Sequence, residues 1–481
     1  MKNCFFTILL MLCMPLHAAA HDWMRLLPDH LYITQVSLPG THDTATGNGV
    51  SLAAFSQCQD LSLDKQWSIG IRAFDLRPKV KDGYLNNNHG IAETKLRFDD
   101  ALRLLRDSLK AHPTEFAVIH CLYAQDYDTD KDTYAQLLKA LVTASDLKDV
   151  FVPFRRNLTV GDMRGKILLL SRQDYAAKPY TGGFLRNWCG TLDWQAQTSC
   201  SILGPSATIT GTSPLYVQDM ANTTDDNGGV QRKVEAVTQL LDWSTTHTTT
   251  SFTTAVWVIN FASAYPGSIS TANGYRDNAT HTNAAIIDYL KTHEPGPTGV
   301  ILMDYCVDKS GTYNTRGKEL VDTLIANNYK WLERVCRPLY DKATDSLASL
   351  RTQLAGAHAI LLGECRDVAT LFEDRWQAIK TAIDNCRDDV EARYRTWNMK
   401  WNFAIDYDSM KHDIDQLIAD AREAQAIHDA TGIARTTGDT KAVPAATYSI
   451  GGVPVAPHAT PTRQVVIEKY ADGSTRKVMR K

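Results

Sequence analysis

Beyond its first twenty residues the chain has no run long and apolar enough to form a membrane-spanning helix. Charge of either sign is not in excess. Against 51 Lys and Arg stand 54 Asp and Glu, a formal net charge of −3, and no basic stripe appears, so nucleic acid is not an expected partner. No CxxC pair occurs among the ten cysteines, which argues against a zinc site. Proline is missing between Pro338 and Pro444, so long helices are free to run there. What remains is an ordinary globular composition, 44% hydrophobic and 22% charged over 481 residues, enough for one large domain and something smaller.

The first twenty residues stand apart. Lys2 supplies a positive end, Cys4 to Pro15 an apolar core, and Ala18-Ala19-Ala20 a small-residue cleavage site before His21. This pattern predicts a secretory signal peptide over residues 1–20 and an exported, soluble mature protein, secreted or held at the cell surface or in the periplasm of a bacterium. Leu12, where a small residue would be needed, argues against Cys13 as a lipid acceptor. Eight cysteines stay in the mature chain, and eight allow 105 pairings. Cys189 with Cys200 would close a short loop and is the first candidate pair. Cys121 and Cys306 lie in apolar strand-like runs and are expected as buried thiols.

Three short stretches carry the chemistry. An apolar run from Tyr32 to Leu38 ends in Pro39-Gly40, punctuation that stops a strand and leaves His42 and Asp43 at its exit. A second strand-like run, Gly70 to Arg77, alternates so that Ala73, Asp75 and Arg77 share one face and Phe74 and Leu76 the other. Asn88-His89-Gly90 follows in a loop-like context. Two histidines, an arginine and carboxylates at neighbouring strand exits suit phosphodiester chemistry. One imidazole can take a proton, the other can give one, and a guanidinium can hold charge on phosphorus.

Leu38-Pro-Gly-Thr-His-Asp-Thr44, Gly70-Ile-Arg-Ala-Phe-Asp-Leu-Arg77 and Asn86-Asn-Asn-His-Gly90, in that order and spacing, resemble the X-domain of bacterial phosphatidylinositol-specific phospholipase C, from about Trp23 to about Lys330. The resemblance implies an irregular β/α barrel, His42 as general base with Asp304 behind it, and His89 as general acid working with Asp43. It further implies Arg77 as the grip on phosphate, Asp75 as a positioning carboxylate, and Arg172 and Asp219 as ligands of inositol hydroxyls. No cofactor or metal is expected. Relatives that use calcium bind it through an Asn after the first histidine and acidic residues on the second strand, where this chain has Asp43 and Arg77. Two head-group positions depart from the pattern: Tyr123 stands where a lysine would follow the Phe116 strand, and Ala221 where a tyrosine supports the inositol. His120 and Tyr175 are candidates to compensate.

Independently of that resemblance, short Val-, Ile- and Leu-rich runs recur at Phe116–Tyr123, Lys166–Ser171, Leu215–Gln218, Ala255–Phe261 and Val300–Tyr305. They read as parallel strands buried on both faces, with helical periodicity between them at Asp99–Ala111 and Val230–Trp243. The expected fold is α/β: an irregular TIM-like barrel over residues 21–330, an antiparallel helical domain over 331–431, then a linker and small β segment over 432–481. His42, Asp75, Arg77, Asp219 and Asp304 all fall at predicted strand ends, where barrels of this kind place their chemistry. In the helical part Leu347, Leu350, Leu354, Trp376, Ile379 and Ile383 recur at helical spacing and form a core stripe rather than a membrane-docking face. The tail from Tyr448, with two alternating strands about Gly473, resembles the C-terminal sorting modules of secreted Bacteroidetes proteins, or is a plain hairpin.

The expected activity is cleavage of phosphatidylinositol, or a related inositol phosphodiester, to diacylglycerol and cyclic inositol phosphate, with a phospholipid at a membrane surface as partner. Another head group, such as a glycosylated inositol anchor or a glycerophosphodiester, and a non-catalytic surface binding protein are the alternatives. No partner of the helical domain is legible.

Overall fold

The computed structural model describes residues 21–124, 127–173, 181–188, 200–206, 208–223, 228–247, 249, 251, 253–265, 271–308, 312–400, 402–431, 446–449, 464–469 and 475–480. The expected signal peptide, Tyr175 and Cys189 lie outside them.

Among the described residues twelve strands precede the helix Gly317–Gly363: β1 Ser37–Thr41, β2 Ala73–Leu76, β3 Pro78–Lys81, β4 Tyr84–His89, β5 Ala92–Arg97, β6 Ala117–Cys121, β7 Ile167–Ser171, β8 Gly183–Arg186, β9 Ser201–Leu203, β10 Thr212–Gln218, β11 Trp257–Phe261 and β12 Gly299–Met303. Nine of them close a barrel in the order β1-β12-β11-β10-β9-β8-β7-β6-β2. Every residue of β6, β7 and β11 is buried, as expected of strands covered on both faces. The helix Phe98–Ala111 buries Phe98, Ala101, Leu102, Leu105 and Leu109, a spacing of three and four that keeps one stripe inward. The barrel is irregular in one specific way. Strand β9 runs antiparallel to both β8 and β10, whereas the other barrel pairs are parallel.

Two local readings are corrected. The Tyr32–Leu38 run is not a strand ended by Pro-Gly; Ile33–Gln35 is a short 3-10 turn, and β1 continues through Pro39-Gly40 to Thr41. Pro39 loses no ladder bond, because pairing with β2 begins only at Gly40, and its carbonyl accepts from Arg72 N at 2.9 Å. Gly40 is there for space: a Cβ would lie 2.8 Å from Ala73 Cβ and Leu302 Cδ2. His89 does not sit in a loop either. It ends β4, the middle strand of the separate antiparallel sheet β3-β4-β5 that the chain inserts between β2 and β6.

The chain divides into two compact units, residues 1–336 with 396–401, and residues 337–395 with 402–481. The helix Gly317–Gly363 contributes to both and passes unbroken through Lys330, where composition places a boundary. Its Leu320, Val321, Leu324 and Leu332 belong to the barrel core. In the second unit Leu350, Leu354 and Leu361 of that helix meet Ile383 and Val390 of the helix Glu373–Arg395 and Ile414 and Leu417 of the helix Tyr407–Thr431. This is the expected core stripe. The same unit carries an antiparallel sheet of β13 Ala446–Ser449, β14 Gln464–Lys469 and β15 Thr475–Arg480, with β14 and β15 paired as the alternating tail predicts.

Candidate active site

Four neighbouring elements bring the three motifs together. Because β1, β2 and β12 are adjacent and parallel, their carboxyl ends place His42, Asp75 and Asp304 side by side. His42 donates or shares its Nδ1 proton with Asp304 Oδ1 at 2.8 Å, which leaves Nε2 facing Asp43 Oδ2 at 3.4 Å. Asp43 turns the chain with a left-handed backbone, φ 44°, a conformation that Asp tolerates better than most residues. Its N–H donates to Asp75 Oδ2 at 3.0 Å, which holds that turn against β2. Arg77 then bridges the two carboxylates, with Nε and NH2 on Asp75 Oδ2 at 3.0 and 2.8 Å and NH1 3.0 Å from Asp43 Oδ2.

His89 reaches the same carboxylate from the inserted sheet. Its Nε2 lies 3.7 Å from Asp43 Oδ2 and 3.4 Å from the Tyr275 hydroxyl. Asp43, the carboxylate expected to work with His89, thus lies on the Nε2 side of the ring and not behind it. The group on Nδ1 is the Ser56 carbonyl, 2.7 Å away, so Nδ1 carries the proton and donates it. Tyr275 and Ser56 belong to a helix and a short turn that no motif marks. Cys58, fully buried, is a further neighbour, its Sγ 3.9 Å from His89 Nδ1.

The head-group candidates divide. Arg172 NH1 lies 3.7 Å from Asp219 Oδ2, and Trp188 Nε1 donates to the same oxygen at 3.1 Å. The guanidinium of Arg172 also lies over the Trp188 ring, 4.5 Å from its centroid. His120 joins the site through Nδ1, 2.7 Å from Asp75 Oδ1, with its ring against Trp188 and Phe261. A polar residue in an otherwise apolar buried strand was the signal for it. Tyr123 is placed differently: its hydroxyl contacts Asp130 and Val80 N, and its ring packs on Tyr127 and Tyr134. The structure gives it a packing role, since Tyr123, two residues beyond the end of β6, packs into that aromatic cluster. Lys233 is buried on a helix face, held by Gln218 Oε1 at 3.0 Å and Met220 O at 2.8 Å, the two residues flanking Asp219.

Burial and charge set the protonation states. Burial, reinforced by the Arg77 charge, pushes the His42 imidazole well below its ordinary value, so the ring is neutral. Burial would raise Asp75, but Arg77 and His120 outweigh it and hold its carboxyl well below the usual range. Burial, with Asp43 nearby, raises Asp304 well above it. Burial lowers Lys233 to about 7. Among the described residues, groups whose ligand atoms could gather a metal are His42 with Cys58 and Asp304, Asp43 with Cys58 and His89, and His42 with Asp43 and Asp75. A fourth, Asp367 with His428 and Asp429, lies in the second unit.

No family model matches the chain. A curated relative, the 1-phosphatidylinositol phosphodiesterase of Staphylococcus aureus strain NCTC 8325, is 24% identical over 340 residues, 67% of this chain and 98% of its own length. The chain is similar in sequence and in fold to bacterial phosphatidylinositol-specific phospholipases C. The Listeria monocytogenes phosphodiesterase of the same name is 32% identical over 168 residues, half of its length. A solved Staphylococcus aureus phosphatidylinositol-specific phospholipase C, 23% identical, covers 64% of this chain and 98% of that one with a TM-score of 0.52. The similarity thus runs nearly the full length of the Staphylococcus aureus proteins. Among the described residues no helix is long and apolar enough to cross a membrane.

Proposed function

We propose that this protein cleaves phosphatidylinositol, or a related inositol phosphodiester, by cyclisation at a membrane surface after export. The observation that carries the reading is the convergence of the two Nε2 atoms on one carboxylate oxygen, His42 Nε2 at 3.4 Å and His89 Nε2 at 3.7 Å from Asp43 Oδ2, beside a guanidinium at 3.0 Å. His42, neutral through burial, takes the proton of the inositol 2-hydroxyl through Nε2 as that oxygen attacks phosphorus in line. Asp304 accepts from Nδ1 and supports the imidazolium that forms. Arg77 spends three of its five N–H donors on Asp43 and Asp75 and keeps two for phosphoryl oxygens. His89 delivers its proton from Nε2 to the departing diacylglycerol oxygen, with its tautomer held by the Ser56 carbonyl. Arg172 and Asp219 hold the inositol hydroxyls.

Cyclisation needs a hydroxyl beside the phosphate, so choline and ethanolamine lipids do not react. A fixed guanidinium supplies the positive charge that calcium supplies elsewhere, so added calcium does not raise the rate. Phosphorus NMR of products from a panel of phospholipid vesicles tests the reading. A five-membered cyclic phosphate from phosphatidylinositol alone supports it, and comparable cleavage of phosphatidylcholine would defeat it. Ala221 and Tyr123, which leave two head-group positions unlike the family pattern, favour one second reading: a larger inositol phosphodiester such as a glycosylated anchor.

A further inference from the structure

Cys58 is a thiol set among the groups that perform proton transfer, and the proposed reaction does not use it. It is fully buried, on a short segment between β1 and β2, and its sulfur contacts the Ser56 carbonyl at 3.7 Å and His89 Nδ1 at 3.9 Å. Cys58 Sγ, a ring nitrogen of His42 and a carboxylate oxygen of Asp304 all lie within 4.8 Å of one another. The 2.8 Å hydrogen bond from His42 Nδ1 to Asp304 Oδ1 is one a metal would replace, with the two atoms parting to the roughly 3.3 Å that separates ligands of a tetrahedral ion with bonds of about 2.0 Å. Asp304 Oδ2 is buried and has no hydrogen-bond partner among the described residues.

We propose that His42, Cys58 and Asp304 form a binding site for a thiophilic divalent cation of the zinc class, and that its occupation switches the enzyme off. One nitrogen, one sulfur and one carboxylate oxygen are a donor set for zinc or cadmium, with a solvent or phosphate oxygen as the fourth ligand. Calcium and magnesium, which need six or more oxygens, do not fit it. The missing CxxC pair excludes only a cage built from neighbouring cysteines; here the ligands come from three segments far apart in sequence.

The alternative set, Asp43 with Cys58 and His89, is disfavoured because Arg77 NH1 already lies 3.0 Å from Asp43 Oδ2. Arg77 makes no such pair with Asp304. On binding, the thiol proton leaves to solvent and sulfur binds as thiolate. The ring proton leaves Nδ1, which takes the metal, and returns to Nε2, so one proton is released when Asp304 starts ionised and two when its carboxyl starts protonated. Neutral imidazole with its proton on Nε2 has no lone pair there. The base is thereby disabled without any movement of the backbone.

The inhibition rests on the proposed role of His42, whereas the binding does not, and the two are measured separately. X-ray absorption of the full chain with one equivalent of zinc, without substrate, is expected to show one sulfur among otherwise nitrogen and oxygen neighbours. A shell without sulfur, or one built of several sulfurs, overturns the site. In parallel, cleavage of phosphatidylinositol vesicles is followed at buffered free zinc. Wild type is expected to lose activity in the micromolar range, and millimolar calcium or magnesium to have no such effect. Cys58→Ser and Cys58→Ala, each compared with its own metal-free rate, should need at least about 10–100-fold more zinc, since even a supporting partner of a metal ligand is worth that much. Equal zinc sensitivity of wild type and both variants overturns the proposal, as does zinc bound through Cys58 with full activity retained. Zinc bound as expected by a chain that never cleaves inositol lipids would uphold the site and sink only the functional reading.

Discussion

At the scale of single residues, the two histidines differ in what lies behind them, a buried carboxylate for His42 and a backbone carbonyl for His89. That difference supports the proposed roles of base and acid, because the carboxylate on Nδ1 stabilises the His42 ring as it gains charge. His42→Ala and His89→Ala are each expected to lower turnover by roughly 10²–10⁴-fold, with unchanged thermal unfolding. Near wild-type turnover in either would remove the mechanism. The protonation states give a second expectation. A base works only when deprotonated, and burial with Arg77 depresses His42 below the ordinary value of 6.5. The rate should therefore fall as pH falls through a point below 6.5, and an acid limb of kcat/KM above that value would contradict the assignment.

At the scale of elements, the inserted sheet β3-β4-β5 carries His89 at the end of its middle strand, and in the proposed reaction it would aim that ring. The register shifts between Asn86 and Asn88 on β4, a bulge that redirects the side chain at the strand's end. Asn87 pins the strand there: its Nδ2 donates to Leu96 O at 3.1 Å, and its own carbonyl accepts from Thr94 Oγ1 at 2.8 Å. Asn87→Ala removes that donor and leaves the Leu96 carbonyl only the 3.2 Å contact from Thr94 Oγ1, a cost of about 1 kcal/mol. Differential scanning calorimetry would read that loss, and steady-state kinetics should show kcat falling further than KM rises. A variant with lower stability but an unchanged kcat would show that the sheet does not set the position of the acid.

At the scale of the whole molecule, every proposed catalytic group belongs to the first unit, while the second has a core of its own. Leu350 and Leu417 are fully buried in that second core. Leu350→Ala or Leu417→Ala should cost the helical unit about 2–5 kcal/mol, seen as an earlier unfolding transition, without changing turnover on vesicles. Turnover lost in step with that transition would make the helices part of the catalytic body. A cut after Lys330 is a poorer experiment than composition implies, because it divides a continuous helix and removes Leu332 and Cys336 from the barrel unit.

What the sequence by itself determined was local: which segments are strands, and which residues stand at their ends. β6, β7, β11 and β12 could be read as apolar runs because a strand buried on both faces needs no polar alternation, and Asp304 followed from where the last of them stops, as Arg77 did from the end of the alternating Gly70–Arg77 run. Periodicity also placed Leu350 and Ile383 in a helical core, since one stripe in 3.6 residues must find a partner. Only the tertiary structure decided that Pro39 and Gly40 continue a strand, because the reason lies in Ala73 and Leu302 on its neighbours. It alone turned Tyr123 into an aromatic cluster and brought Trp188 onto Asp219 and Cys58 beside His89. Those are contacts between segments tens to hundreds of residues apart, and no local pattern of polarity records a neighbour that the closing of the barrel supplies.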